Sequence, residues 1–351
     1  MGNYVSHSEV ETFLTCRRRH WYSYTRRLQP KRKHAALAFG TAGHEVLEAF
    51  YSAIIELGGT SRQKQRRAFN QALDVAIDKY EELGFVEEEG QADLGDLLFD
   101  YYFPNEPFVK QGYLIEATEV EEDLEIDDGL GFKFVIDLVA VDPEGRRVVI
   151  DHKFKGRFDS QDTVTLMPQV SKYIGALRGK GSAVHYGIYN ELKTGYIRGA
   201  KKTKVQLVDM LTRHSIEHGK EADPGLPKLT VDKLTELATK EGLNLYAGPT
   251  YDQVHLVLKL KPNGTQVVNS FTEQINVAEE IVARRELSVD EQEATAYRVF
   301  NPMVCPGCPF KVLCESDLAG GNSKLLLATE YEEKPRRQLE GDTPEGEEDA
   351  A

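Results

Sequence analysis

Long apolar runs are missing from this 351-residue chain, and that absence excludes a membrane-spanning helix, which needs about 20 consecutive apolar residues. Met1-Gly2-Asn3-Tyr4 opens neither a charged leader nor a hydrophobic segment, so the expected location is the cytoplasm, with no membrane partner. No G-x-x-x-x-G-K-[ST] loop is found, so any helicase acting with this protein is a separate chain. No internal repeat is found either. Cysteine is scarce: Cys16 stands alone near the start, and Cys305, Cys308 and Cys314 form a C-x2-C-x5-C cluster near the other end. A disulfide framework belongs to small secreted domains and does not suit so long a chain. Four thiolates with none left over suit either a tetrahedral zinc site or an iron-sulfur cluster, a metal staple between the two ends of one fold. Spacing alone does not choose between the two.

What is plentiful is charge, and it is unevenly spread. The formal net charge is −14, yet residues 1–40 hold Arg17, Arg18, Arg19, Arg26, Arg27, Lys31, Arg32 and Lys33 against only Glu9 and Glu11. The tail from Glu330 to Ala351 is acidic, as is the stretch from Glu81 to Glu106. A polyanionic partner is therefore compatible with the basic end.

Ser8-x-x-Glu11 has the form of a capping box opening a helix through Phe13, Leu14 and Cys16 to the arginine run. Trp21, Tyr22 and Tyr24 follow, and cations interleaved with aromatics suit either a nucleic-acid surface or a solvated helix with its rings packed inward. A second helix follows Gly40, and residues 61–103 read as further helices. Strands are predicted over 114–126, 132–141 and 147–154, with Asp142-Pro143-Glu144-Gly145 as the turn between the last two. A helix over 165–178 with Pro168 near its first turn and a strand over 183–190 complete an α/β arrangement with a core at about 113–192 behind N-terminal helices 8–110. Residues 193–270 read as an insertion, with helices near 204–218 and 231–241 and strands near 252–260 and 265–271. Residues 273–316 carry a last helix and the cysteine cluster. Residues 1–320 are expected to form one domain, followed by an acidic disordered tail at 321–351.

The hairpin carries the chemistry. With the turn centred between Pro143 and Glu144, Asp137 falls opposite Ile150 and beside Asp151, and period-two alternation puts Lys153 on the face of Asp151. Two carboxylates in otherwise apolar strands need a partner, either a divalent cation or an Asp–Lys ion pair. Gln169 and Tyr173 lie at i and i+4 on the helix that follows. His44 ends a Gly40-x-x-Gly43-His44 segment whose glycines admit a close neighbour.

Taken in order, His44, Asp137, Asp151-x-Lys153 and Gln169-x-x-x-Tyr173, enclosed by Cys16 and the Cys305, Cys308 and Cys314 cluster, resemble the PD-(D/E)XK nucleases of the RecB-like branch. The likeness extends to CRISPR-associated and bacteriophage exonucleases with an iron-sulfur staple and to the AddB nuclease domain. It covers residues 5–55, 115–192 and 295–316, and departs in having Asp151 where many relatives have Glu. The resemblance implies a restriction-endonuclease-like α/β fold: a mixed sheet flanked by helices, with helical insertions and an N-to-C-terminal staple. It implies Mg2+ or Mn2+ held by His44, Asp137, Asp151 and the carbonyl of His152, with Glu119 or Glu121 as an outer carboxylate. Lys153 would orient water and offset transition-state charge, and Gln169 and Tyr173 would position Lys153 and the strand. It favours a 4Fe-4S cluster over zinc. The implied activity is exonucleolytic cleavage at single-stranded DNA ends in recombination, end processing or CRISPR adaptation, beside a recombination or annealing protein. A non-catalytic DNA-binding scaffold, or a subunit of a helicase-nuclease complex, is the alternative.

Overall fold

Strands gather around the hairpin that the turn residues mark out. In the computed structural model, the described residues are 3–31, 35–58, 61–83, 94–127, 129–194, 201–221, 223–246 and 250–334. Among them are strands β1 (Asn3–Ser6), β2 (Leu28–Pro30), β3 (Leu114–Asp127), β4 (Leu130–Val141), β5 (Arg147–Lys155), β6 (Val184–Lys193), β7 (His255–Leu260) and β8 (Tyr331–Glu333). The chain divides into two compact units, Ala35–Glu122 with Val135–Phe271, and Met1–His34 with Asp123–Phe134 and Thr272–Ala351.

In the first of these units, β4, β5, β6 and β7 lie side by side: antiparallel, then parallel, then antiparallel. Val148, Ile150, Ile188 and Leu192 bury one face of this mixed sheet in a core with Ala42, Val46, Leu47 and Phe50 of helix Ala35–Glu56. Those helical positions recur at turn spacing, and the helix stops at Gly58, whose φ of +61° suits a residue without a Cβ. Helix Arg62–Leu83 adds Ala68, Ala72 and Ala76 to the same core, a seam of small side chains four residues apart.

The helical region expected over 165–178 is two helices, Gln161–Leu166 and Pro168–Gly179. Proline disfavours helical geometry at the residue before it, so Met167 is extended at φ −76°, ψ 123°, while Pro168 starts the second helix. This helix packs very closely on β6: a Cβ placed on Gly187 would lie 1.9 Å from Val170 Cγ1. The stretch read as an insertion is only partly one. Helices Lys204–Glu217 and Val231–Lys240 bury their own small core of Leu207, Leu211, Leu226, Leu234 and Ala238, whereas β7 is a strand of the main sheet, pairing with β6.

In the other unit, β1 runs parallel to the start of β4, and β2 pairs with β8, Leu28 facing Glu333. Trp21, Tyr22, Leu28, Ala296, Phe310, Leu313 and Tyr331 form one of its core clusters. Three expectations are corrected here. Ser6, not Ser8, caps helix His7–Thr15 by accepting from the Glu9 amide. Residues 265–271 are not a strand: Asn263 and Gln266 exchange hydrogen bonds as an N-terminal box, and helix Gly264–Arg285 follows with Gln274, Ala278 and Ile281 buried along one stripe. The chain after residue 320 is not wholly a tail, since helix Ser323–Glu330 and β8 occupy its first part; residues 335–351 lie outside the described residues. No helix among the described residues is long and apolar enough to cross a membrane.

Candidate active site

A three-residue loop, not a two-residue one, sets the register of the hairpin. The Asp142 amide donates to the Arg146 carbonyl at 2.9 Å, and Gly145, at φ +79°, takes the left-handed position. The pairing is therefore Leu138 with Ile150, one step from the expected Asp137–Ile150 pair, and the ladder stops one residue short of Asp137 and Asp151. Asp142 anchors the loop. Buried itself, it accepts from the Glu144 and Arg146 amides, from Arg146 Nε at 2.7 Å and from the Tyr186 hydroxyl at 2.8 Å.

The predicted residues converge at the ends of these strands. Asp137 Oδ2 accepts the His152 amide at 2.6 Å and faces His44 Nδ1 at 3.4 Å. Lys153 Nζ lies 2.8 Å from Asp151 Oδ2 and donates to Gln169 Oε1 at 2.8 Å, while Gln169 Nε2 donates to the Tyr173 hydroxyl at 2.6 Å. The i, i+4 pair on helix Pro168–Gly179 thus forms a chain with the lysine, Gln169 touching Lys153 and Tyr173 touching Gln169. His44, Glu119 and Asp137 each offer a ligand atom, all within 4.8 Å of one another. Of the two glutamates considered on β3, Glu119 joins the site. Its φ of +44° is a left-handed conformation rare outside glycine, at the residue whose carboxylate lies beside His44 and Asp137.

Burial followed by the nearby Asp151 charge raises the Asp137 carboxyl well above its usual range. Burial and then Asp137 push Glu119 up to about 7. Burial lowers His44, so its imidazole is neutral and able to ligate. Crowded carboxylates beside a neutral imidazole are a donor set that a divalent cation fits, because its charge removes the mutual repulsion.

Behind the site runs a buried relay that spacing did not reveal. Glu106 accepts from the Tyr51 hydroxyl at 2.7 Å and from the Phe108 amide. The Tyr51 proton being so used, Tyr102 donates to Tyr51 at 2.7 Å and accepts from Asn190 Nδ2 at 2.9 Å. Asn190 Nδ2 also meets His152 Nδ1 at 2.7 Å, and Asn190 Oδ1 meets His255 Nε2 at 2.6 Å. Each donor fixes the next, so the His152 proton sits on Nε2 and Nδ1 accepts. The ring also stacks on Tyr51 at 5.7 Å. With its Nδ1 on Asn190 and its amide on Asp137, His152 is fixed at both side chain and main chain. The close neighbour admitted by Gly43 is Phe154, whose ring leaves no room for a Cβ there.

The four cysteines all belong to the other unit, half-buried and free of disulfides. Arg298 Nε donates to Cys314 Sγ at 3.2 Å, and the Asn301 amide to Cys305 Sγ at 3.4 Å. The Cys308 thiol is pushed up by burial, while the Phe310 amide and Arg19 act in the opposite direction. Donors aimed at sulfur are what thiolate ligands require. The arginine run has largely structural partners. Arg17 pairs with Glu280 and Arg18 with Glu293, both at 3.3 Å, while Trp21 and Tyr22 are buried. Successive helical positions point about 100° apart, so three neighbouring arginines cannot share one exposed face.

A comparison with curated proteins finds no match. Among solved structures, the chain is similar to one described as the crystal structure of SSO0001, at 12% identity over 90% of this chain and 86% of that one, with a TM-score of 0.29. The sequence profile of the PD-(D/E)XK nuclease superfamily matches residues 4–315. With that match over nearly the whole described chain, and a mixed sheet flanked by helices, this chain belongs to the PD-(D/E)XK nuclease superfamily and has a restriction-endonuclease-like α/β fold.

Proposed function

We propose that the protein is a metal-dependent deoxyribonuclease acting as an exonuclease on single-stranded DNA ends. The observation that carries this reading is the convergence of His44, Glu119 and Asp137 within ligand distance, next to Asp151 and a lysine gripped from two sides. His44, Glu119, Asp137, Asp151 and the His152 carbonyl are the residues that would hold the cation. An imidazole among carboxylates favours Mn2+ over Mg2+. The bound cation supplies Lewis-acid activation of the phosphate and of water. Asp151 and Gln169 fix Lys153 Nζ so that its charge meets the negative charge developing on the phosphate without reorganising. Tyr173 holds Gln169 and, through it, the lysine. Action at strand ends rests on the RecB-like order of the motifs.

We further propose that Cys16, Cys305, Cys308 and Cys314 carry a 4Fe-4S cluster. What supports this reading is the order of the four cysteines in the RecB-like motif set, together with the Arg298 Nε and Asn301 amide donors aimed at the Cys314 and Cys305 sulfurs. The reading as a whole is tested by incubating end-labelled single-stranded and duplex DNA with the protein and Mn2+, Mg2+ or EDTA. Metal-dependent release of short products from single-stranded ends is expected. Absence of degradation under every metal condition by a folded protein overturns it.

A further inference from the structure

The unit that contains the cysteines encloses a cavity of about 440 Å3, lined by Arg17, His20, Trp21, Tyr24, Arg284 and Arg285. Its single carboxylate is Glu9, which is already engaged: buried, it takes Arg285 Nη2 at 2.8 Å and His20 Nε2 at 3.0 Å. Arg17 has Glu280. Arg284 is different, because its partners among the described residues are neutral, the Thr295 hydroxyl at 2.8 Å and the Gln292 carbonyl at 3.4 Å. Arg17 and Arg284 nonetheless converge on one ring, with guanidinium carbons 3.5 and 5.8 Å from the Phe13 centroid.

Like charges converge at a half-buried site at an electrostatic cost unless an anion joins them. Planar guanidiniums are the side chains suited to phosphate, which they can hold by paired hydrogen bonds. The remaining wall combines Trp21, Tyr24, Ile281 and Val289 with the polar Thr25 and Gln292, a mixture that suits a base and sugar. We propose that this cavity is a second nucleic-acid site that receives one nucleoside monophosphate unit, its phosphate on Arg284 and Arg17 and its base and sugar against that wall. The choice of a nucleotide over other ring-bearing phosphates rests on the nuclease reading, but binding here requires neither a divalent metal nor cleavage.

Trp21 is the only tryptophan in the sequence and lines this cavity, so a saturable change in its fluorescence that is lost in an Arg284 variant reports on occupancy here. The full-length protein is titrated in EDTA with deoxyadenosine monophosphate, inorganic phosphate, deoxyadenosine, and a short oligonucleotide with or without an end phosphate. The expected result is a saturable change with the nucleotide, with affinity about tenfold or more weaker for phosphate alone or nucleoside alone. Competition by the end-phosphorylated oligonucleotide identifies the occupant as a DNA end, and binding of the mononucleotide only identifies it as free product. Arg284→Met should weaken binding by at least about tenfold in a protein that melts near the parent temperature. If that variant fails to fold, Arg284→Lys, which keeps the charge and loses the fork, should still weaken it. No saturable change with any nucleotide overturns the proposal, as does phosphate binding as tightly as nucleotide, or unaltered affinity in a folded Arg284 variant. Loss of nuclease activity in Asp151→Asn with nucleotide binding intact separates this site from the cleavage site.

Discussion

The amide of His152 donates to Asp137 at 2.6 Å, while the imidazole of the same residue is held by Asn190 at 2.7 Å. One residue therefore ties a candidate metal ligand on β4 to a buried polar network on β6. Removing a partner behind the site should be felt in front of it. Asn190→Leu leaves His152 and His255 without their partner in a dry interior, at a cost of about 1–3 kcal/mol. It should also weaken Mn2+ binding by about tenfold or more, in the manner of residues that orient metal ligands. Urea unfolding and calorimetric Mn2+ titration measure the two effects, and Mn2+ affinity equal to the parent's would show that the relay is structural only.

Asp151→Asn and Lys153→Ala should each reduce DNA cleavage by about a hundredfold or more while leaving the fold intact. Glu119→Gln should cost less and should show mainly at low Mn2+. Single-turnover rates across a metal titration, with circular dichroism as the fold control, decide this. Near-parental cleavage by folded Asp151→Asn would remove the carboxylate from the mechanism.

Gly187→Ala tests whether close packing positions the lysine's partner. The added methyl meets Val170, so the variant should lose about 1–3 kcal/mol by overpacking. Because Gln169 precedes Val170 on the helix that must shift, cleavage should fall further than stability alone explains. Combining Gly187→Ala with Val170→Ala restores the space and should recover both.

Acid sensitivity should centre on Asp142. Burial alone would raise its carboxyl, but hydrogen bonds from Arg146 and Tyr186 override burial and hold it below the usual range. A depressed folded value means that its contribution is complete above the unfolded carboxylate range near pH 4 and is lost as pH falls below it. Asp142→Asn should cost about 1–3 kcal/mol at neutral pH and flatten the decline of stability between about pH 4 and pH 2. Urea midpoints at several pH values provide the check.

Cys308→Ser should yield a colourless protein with a lower melting temperature, if the parent is brown and carries iron. Metal ligation contributes directly to folding where an unfolded chain cannot gather four thiolates. Iron and zinc analysis of anaerobically purified protein separates a cluster from zinc, and a fully stable, metal-free parent would rule out both.

The strands bearing Asp137, Asp151 and Lys153 were legible because apolar alternation and the Pro143–Gly145 turn act locally. Their register was missed by one residue because a two-residue turn and a three-residue loop with left-handed Gly145 look alike without backbone angles. Residues 265–271 misled for a related reason: Val267 and Val268 favour strands in isolation, yet the Asn263 cap and the buried stripe through Ile281 outweigh that preference. Asn190 and His255 carried no sequence signal at all. Their roles arise where β5, β6 and β7 pair, a long-range event that spacing within one strand does not encode.

The pairing of Leu28 with Glu333 also has a consequence for how the protein is made. At roughly 5–20 residues per second, a ribosome delivers Leu28 about 15–60 s before Glu333. Throughout that interval Trp21, Tyr22 and Leu28 lack the neighbours that later cover them, and chaperone demand should peak there. A nascent chain stalled just after Phe271 already holds every residue of the carboxylate site, but neither Arg284 nor three of its four cysteines.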